Sequence, residues 1–145
     1  MATDYKGVSS ILPFVFAEDD VTGYEVVGTG QQDLVGFNGQ NTYETTWGIA
    51  VPFDGSIVGI AYSHQTADAT YTTTASLNIN GALKVGVTAT AATSILNVYN
   101  TYQPGEYTVT KGDEIAVEMT SNNNSAAPAG NVVVVIYIQV GSSST

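Results

Sequence analysis

The sequence predicts an all-β protein, an antiparallel sandwich or barrel of two sheets with about eight strands. Three observations lead to this fold class. Short segments alternate apolar with polar residues, turn-forming residues separate them at intervals of roughly 8–12 residues, and no stretch keeps the period of a long helix. The 145 residues suit a single domain that needs no disulfide, and the chain has no cysteine.

About eight strands are predicted within residues 46–140, which form the body of the domain. Asn80-Gly81 joins two of them in a tight hairpin, because this dipeptide readily adopts positive φ at both turn positions. The last strand is a near-continuous Val/Ile run, which fits a central strand covered on both faces. Residues 89–92, which are rich in Ala and Thr, are predicted to form a loop. The predicted strands cover residues 46–53, 55–63, 71–79, 83–87, 94–102, 106–110, 114–120 and 131–140.

Residues 1–45 are predicted to form an extended N-terminal arm outside this body, and residues 141–145 a polar tail. The arm contains one or two short strands but no sustained period. Its apolar side chains would be exposed if the segment hung free, which is unfavourable. We therefore expect them to contact either a sister subunit or a larger protein. These predicted partner-binding residues are Ile11, Leu12, Phe14, Val15 and Phe16.

The charge composition argues against two classes of partner. The net charge is −10 and the only basic residues are Lys6, Lys84 and Lys111, so the chain lacks the basic patch that nucleic acids require. Anionic membranes are disfavoured for the same reason. Charged residues make up 11% of the chain, against about 25% in average soluble domains. A surface with so few charged residues fits either extensive protein contacts or a compositional bias of the source organism.

No segment is long enough to be a membrane-spanning helix. The longest strongly apolar run, residues 132–138, is far shorter than the roughly 20 residues required. Residues 15–17 resemble a signal-peptide cleavage site after a short apolar stretch. Because Asp4 and Pro13 are unfavourable in such a peptide, secretion is not predicted.

Four segments of the body carry a family resemblance: residues 47–60 (WGIAVPFDGSIVGI), 77–81 (LNING), 107–115 (YTVTKGDEI) and 132–140 (VVVVIYIQV). Together they resemble the trimeric jelly-roll domains of tailed-phage virion proteins. That class contains capsid decoration (cement) proteins, head fibres and modules like tumour necrosis factor. The resemblance is one of strands and turns, and it includes no catalytic signature.

The resemblance implies a homotrimer of antiparallel jelly rolls on a virion surface, bound to the major capsid protein. It further implies a decoration role, in which the N-terminal arm ties neighbouring capsomers together by apolar burial and strand addition. Two alternatives stay open: a head- or tail-fibre tip that binds a host receptor, and a free carbohydrate-binding module. None of these roles requires a cofactor.

A few residues could support chemistry, although each has a simpler structural explanation. His64 and Asp68 could join a serine in a catalytic triad, yet the chain has no G-x-S-x-G elbow, and a surface histidine explains the pair. The acidic cluster Glu18-Asp19-Asp20 lacks the fixed spacing and the glycine of a calcium loop. Asp113 and Glu114 follow a glycine, which is typical of a turn.

The tyrosines of the body could form a platform for sugar rings, although core packing and strand pairing explain them as well. No phosphate-binding loop, dinucleotide fingerprint or zinc signature occurs in the chain. The sequence therefore predicts a non-enzymatic protein without a cofactor or a metal. The candidate platform residues are Tyr62, Tyr71, Tyr99, Tyr102 and Tyr107.

Overall fold

The computed structural model describes residues 9–18, 25–27, 30–35, 48–66, 72–92, 95–121 and 130–141. Within these ranges the chain forms strands and turns but no helix, so the prediction of an all-β protein is confirmed. The strands are β1 (Ser10–Glu18), β2 (Glu25–Val27), β3 (Gly30–Val35), β4 (Ile49–Ala50), β5 (Gly55–Thr66), β6 (Thr73–Ile79), β7 (Ala82–Ala91), β8 (Asn97–Thr101), β9 (Thr108–Val109), β10 (Glu114–Ser121) and β11 (Gly130–Val140).

These strands form two sheets, which we call sheet A and sheet B. Sheet A has the order β1-β11-β5-β8, with β9 also beside β5, and sheet B has the order β2-β3-β10-β6-β7, with β4 also beside β10. All of these pairings are antiparallel. The first and last strands are neighbours, and the chain crosses repeatedly between the sheets. The predicted antiparallel sandwich is therefore confirmed.

The hairpin between β6 and β7 forms at Asn80-Gly81, as predicted. The φ angle is 52° at Asn80 and 80° at Gly81, and positive values at both positions are what a two-residue hairpin turn requires. β7 continues through Ala91, so the loop predicted at residues 89–92 is wrong for most of its length. Ala89 and Ala91 are buried between the sheets, where small side chains allow close packing.

Strand β4 covers only part of the described portion, residues 48–53, of the strand predicted at residues 46–53. Of the described residues 48–53, only Ile49–Ala50 is a strand, beside β10. Val51 is buried and Phe53 is exposed, while Pro52 lacks the N–H group that a sheet ladder uses. The alternation of apolar residues in the sequence therefore extends past the end of the strand.

The core lies between the sheets and is formed by alternate side chains of the central strands. The Tyr62 hydroxyl of β5 is 2.9 Å from the Thr73 hydroxyl of β6, and this buried hydrogen bond joins sheet A to sheet B. The largest fully buried side chains are Phe16, Ile57, Ile60, Tyr62, Ile136 and Ile138 from sheet A, and Leu77, Ile115 and Met119 from sheet B.

One side of the sandwich is closed by tyrosines. The backbone N–H of Thr88 in β7 donates to the Tyr102 hydroxyl just after β8, at 3.0 Å. The rings of Tyr102 and Tyr107 pack edge to face, with centroids 5.0 Å apart. Gly86 has a φ of 96°, and a Cβ atom at this position would collide with the Tyr107 hydroxyl. A glycine is therefore required where β7 passes the tyrosine pair.

The N-terminal segment joins the body, so the predicted arm is wrong for the residues described. β1 pairs with β11 from Ser10 opposite Val140 to Glu18 opposite Val132. β3 pairs with β10, and Phe16 belongs to the core. β1 is apolar on both faces, which hides the period of a strand in the sequence. Residues 1–8, 19–24, 28–29 and 36–45 of the predicted arm, and residues 142–145 of the predicted tail, lie outside the described ranges.

Candidate functional site

The outer face of sheet A is the candidate functional site, because it is apolar and faces away from sheet B. The strand register places its side chains in rows that cross β1, β11, β5 and β8. One row contains Val15, Val135, Ala61 and Tyr99, and the next contains Pro13, Tyr137, Gly59 and Thr101. Tyr99 is 76% exposed and Val15 is 46% exposed.

The Val/Ile run of β11 accounts for much of this face. Val132 and Val134 are fully buried in the core, whereas Val133 and Tyr137 are exposed. The run therefore supplies two apolar surfaces, one for each face of the strand. The prediction of a central strand is confirmed, since β11 lies between β1 and β5, and among the described residues the core covers its inner face.

This face is electrically neutral although the protein is strongly acidic. None of the described outward positions of β1, β11, β5 and β8 carries a charged residue. Its polar members are uncharged, among them Ser63, Asn97, Thr101 and Gln139. Each copy of the chain has a net charge of −10. Two copies can nevertheless approach through this uncharged face without bringing carboxylates together.

A shallow groove of about 330 Å³ lies on this face beside Tyr99 and Tyr137. Gly59 lines it, and a Cβ atom at Gly59 would lie 3.4 Å from the Tyr137 ring and 3.3 Å from the Asn100 carbonyl oxygen. The glycine thus lets the Tyr137 ring lie close over β5. The groove is shallow and therefore suits side chains of a partner, since pockets for small molecules enclose most of the ligand.

The five predicted partner-binding residues divide between the two faces of β1. Ile11 and Val15 are exposed on the outer face. Phe16 is fully buried in the core, and Phe14 packs against it. Leu12 lies opposite Ile138, a core residue, and is half-buried. Strand alternation turns Leu12, Phe14 and Phe16 towards the core, and partner binding by the five residues stays a prediction.

Several residues of the outer face were not predicted as partner-binding. Val133, Val135 and Tyr137 belong to the run in β11, and Gly59 and Ala61 lie on β5 beside it. The signal that could have found the first three was present, because a strand that is apolar at every position must present an apolar outer face. The β5 residues are small and become part of the site only through the strand register.

The residues considered for catalysis and metal binding do not form a site in the part of the chain that is described. His64 is placed in β5 opposite Val132, while Asp68, Asp19 and Asp20 lie outside the described ranges. Glu18 ends β1. Among the described residues, no group of three His, Cys, Asp or Glu side chains could hold a metal ion.

Asp113 organises a turn, as its position after Gly112 predicts. Its Oδ1 accepts a hydrogen bond from Asn80 Nδ2 at 2.8 Å, and its Oδ2 accepts one from the Thr110 N–H at 2.8 Å. These bonds, from Thr110 and then from Asn80, lower the pKa of Asp113. The Glu114 N–H in turn donates to Asn80 Oδ1 at 2.8 Å, so this cluster fixes the end of the β6–β7 hairpin against β10.

The tyrosines do not form a shared platform among the described residues. Tyr62 is fully buried, and burial raises its pKa to about 12. Tyr102 and Tyr107 pack against each other, and Tyr71 lies outside the described ranges. Tyr99 is the exposed ring of this set, and it borders a polar groove of about 400 Å³ that Thr90 and Asn97 also line.

The chain matches no protein-family model, and no curated protein matches it. In the part of the chain that the structure describes, no helix is long and apolar enough to cross a membrane.

Proposed function

We propose that this protein is a non-enzymatic structural protein that assembles with copies of itself through the outer face of sheet A. The observation that carries the proposal is the neutral, apolar character of this face on a molecule with a net charge of −10. The centres of protein interfaces are depleted in charged residues and enriched in aromatic ones. Tyr99 and Tyr137 supply the aromatic side chains here.

Self-association through the outer face of sheet A fits the strand arrangement better than strand addition at the edge of the sheet. β1 is an edge strand of sheet A, and Pro13 lies in its middle. Proline has no N–H group, so edge prolines discourage the addition of another strand. Strand addition across β1 is therefore not part of the proposed mechanism, and burial of the apolar face takes its place.

The biological role that we propose is decoration of a virus capsid by a homotrimer bound to the major capsid protein. It rests on the resemblance to the jelly-roll proteins of tailed phages and on the sandwich fold. Closed cyclic symmetry buries an apolar face of each subunit without leaving one exposed at the end of a chain of copies. The location implied is the outer surface of the virion.

A double variant, Val15→Asp with Val133→Asp, tests the assembly. Both side chains are exposed on the face, so the monomer should remain folded while the buried charges dissociate the trimer. Sedimentation velocity at micromolar concentration should show a trimer for the wild type and a monomer for the variant. The matched control is Val85→Asp on β7, because Val85 is 88% exposed outside the face. A monomeric wild type, or a variant that stays trimeric, would contradict the proposal.

The decoration role has a separate test. The wild-type protein should co-sediment with capsids that lack it, and it should not bind a glycan array. Binding to glycans without binding to capsids would instead indicate a fibre tip that recognises a host receptor.

A carbohydrate-binding module is the second candidate, and the exposed Tyr99 beside Thr90 and Asn97 is the observation that favours it. An aromatic ring next to amide and hydroxyl groups can stack on a sugar and bond its hydroxyls. Tyr99→Ala should then abolish glycan binding by a monomer. If Tyr99→Ala weakens the trimer and the wild type binds no glycan, this candidate is excluded.

A further inference from the structure

Glu118 is a buried carboxyl group at the centre of sheet B. It is 6% exposed and lies on β10, between β3 and β6. A side-chain hydrogen bond links it to Asn78, while its Oε1 atom is buried and has no hydrogen-bond partner among the described residues. An ionised carboxylate with an unpaired buried oxygen is costly, whereas a neutral carboxyl group is tolerated much better.

The strands around Glu118 supply no positive charge. On β6, Ser76 lies opposite Glu118, and both Ser76 and Asn78 are buried and neutral. On β3, Leu34 lies opposite Glu118. The charged residues of β3, β6 and β10 are Asp33, Glu114 and Glu118, all of them acidic. Ionisation of Glu118 would therefore add a negative charge that no cation of these strands compensates.

We propose that Glu118 is a protonation switch, which makes the folded protein more stable at mildly acidic pH than at neutral pH. Burial raises the pKa of Glu118 above the ordinary value of 4.5, and the hydrogen bond with Asn78 opposes that rise. Because the pKa is raised in the folded state, its stabilising contribution is fully present below pH 4.5. That contribution is lost as the pH rises through the folded-state pKa. The inference does not depend on the proposed function.

Thermal unfolding of the Glu118→Gln variant tests the switch. The amide keeps the shape of the side chain and its hydrogen bond with Asn78 but cannot ionise. At pH 7.5 the variant should melt about 2–4 °C above the wild type, and at pH 4, below the ordinary value of 4.5, the difference should shrink towards zero. Chain concentration is held constant, because the melting temperature of an oligomer depends on it. The control is Glu106→Gln, which alters an exposed carboxylate and should not change the pH dependence.

A difference between Glu118→Gln and the wild type that is the same at both pH values would overturn the inference, as would a variant that melts lower at pH 7.5. If the variant does not fold, carbon-13 NMR of the wild-type carboxyl group decides the question. The Glu118 resonance should titrate with a midpoint above 4.5, the ordinary value. A midpoint at or below that value would refute the switch.

Discussion

The outer faces of the two sheets differ in opposite ways from an ordinary sheet face, on which exposed residues are polar and buried residues are apolar. On sheet A the outer residues are apolar and exposed, with Val15 and Tyr99 as examples. On sheet B the outer residues of the central strands are polar and buried, as Ser76, Asn78 and Glu118 show. Exposed apolar surface is stabilised when a partner covers it, whereas a buried polar group needs a partner of its own inside the fold.

This contrast separates assembly from the stability of the single chain. The face of sheet A contributes little to the monomer, because its side chains remain in water, and it contributes to an oligomer in proportion to the area that is buried. The polar row of sheet B acts within the chain, through hydrogen bonds and the ionisation of Glu118. Substitutions on the two faces should therefore affect different measurements.

The largest expected effect comes from deleting residues 1–20. This truncation removes β1, which pairs with β11 along its whole length, and it removes Phe16 from the core. It also exposes the edge of β11, a long and apolar strand of the kind that aggregates. We expect an insoluble or non-cooperatively unfolding product in circular dichroism. A soluble truncated chain that melts as sharply as the wild type would show that β1 is dispensable.

Much of the fold could be predicted from the sequence, because its signals are local. The hairpin at Asn80-Gly81 and the turn at Asp113 depend on backbone preferences of a few adjacent residues. β1 could not be predicted as part of the body, since its pairing with β11 joins segments more than a hundred residues apart, and its uniformly apolar sequence has no period. Long-range register is not encoded in either segment alone.

The candidate site was only partly predictable for the same reason. Ile11 and Val15 were identified as binding residues, but their separation from Phe14 and Phe16 depends on which face of β1 meets the core. Glu118 alternates with apolar residues in β10 and reads as an ordinary solvent-facing position in the sequence. Its burial depends on packing over the outer face of sheet B. The alternation of apolar and polar residues along a strand does not show whether that face is covered.

The second-largest effect is expected from substitutions of two neighbouring residues that lie on opposite faces of β1. Phe16→Ala should lower the free energy of unfolding by about 3–5 kcal/mol, because it leaves a cavity in the core. Val15→Ala should change the unfolding of the dilute monomer by no more than about 0.5 kcal/mol, although it should weaken self-association. Urea unfolding gives the first quantity and sedimentation equilibrium the second. Equal destabilisation of the monomer by the two variants would contradict the assignment of faces.

The third effect concerns the polar row of sheet B. Asn78→Ala removes the hydrogen bond to Glu118 and should destabilise the fold by about 1–3 kcal/mol at pH 7. That bond lowers the pKa of Glu118, so its loss should cost less at pH 5, where the carboxyl group is closer to neutral. The matched variant is Ser76→Ala, at the register position opposite Glu118. If the loss of stability caused by Asn78→Ala does not change with pH, Asn78 does not influence the ionisation of Glu118.

The smallest expected effect lies between the two faces, at the hydrogen bond that joins Tyr62 to Thr73. Tyr62→Phe should cost about 1 kcal/mol at pH 7. Burial raises the pKa of Tyr62 from 10.0 to about 12, so the wild type should lose stability as the pH rises from 10 towards 12, and the phenylalanine variant should lose less. The melting temperatures of the two proteins should therefore converge above pH 10. Thr73→Val is the informative control, since it breaks the same bond but keeps the phenol and its sensitivity to alkali. Melting curves of Tyr62→Phe and Thr73→Val that stay parallel from pH 8 to pH 11 would show that the Tyr62 hydroxyl is not held neutral by the core.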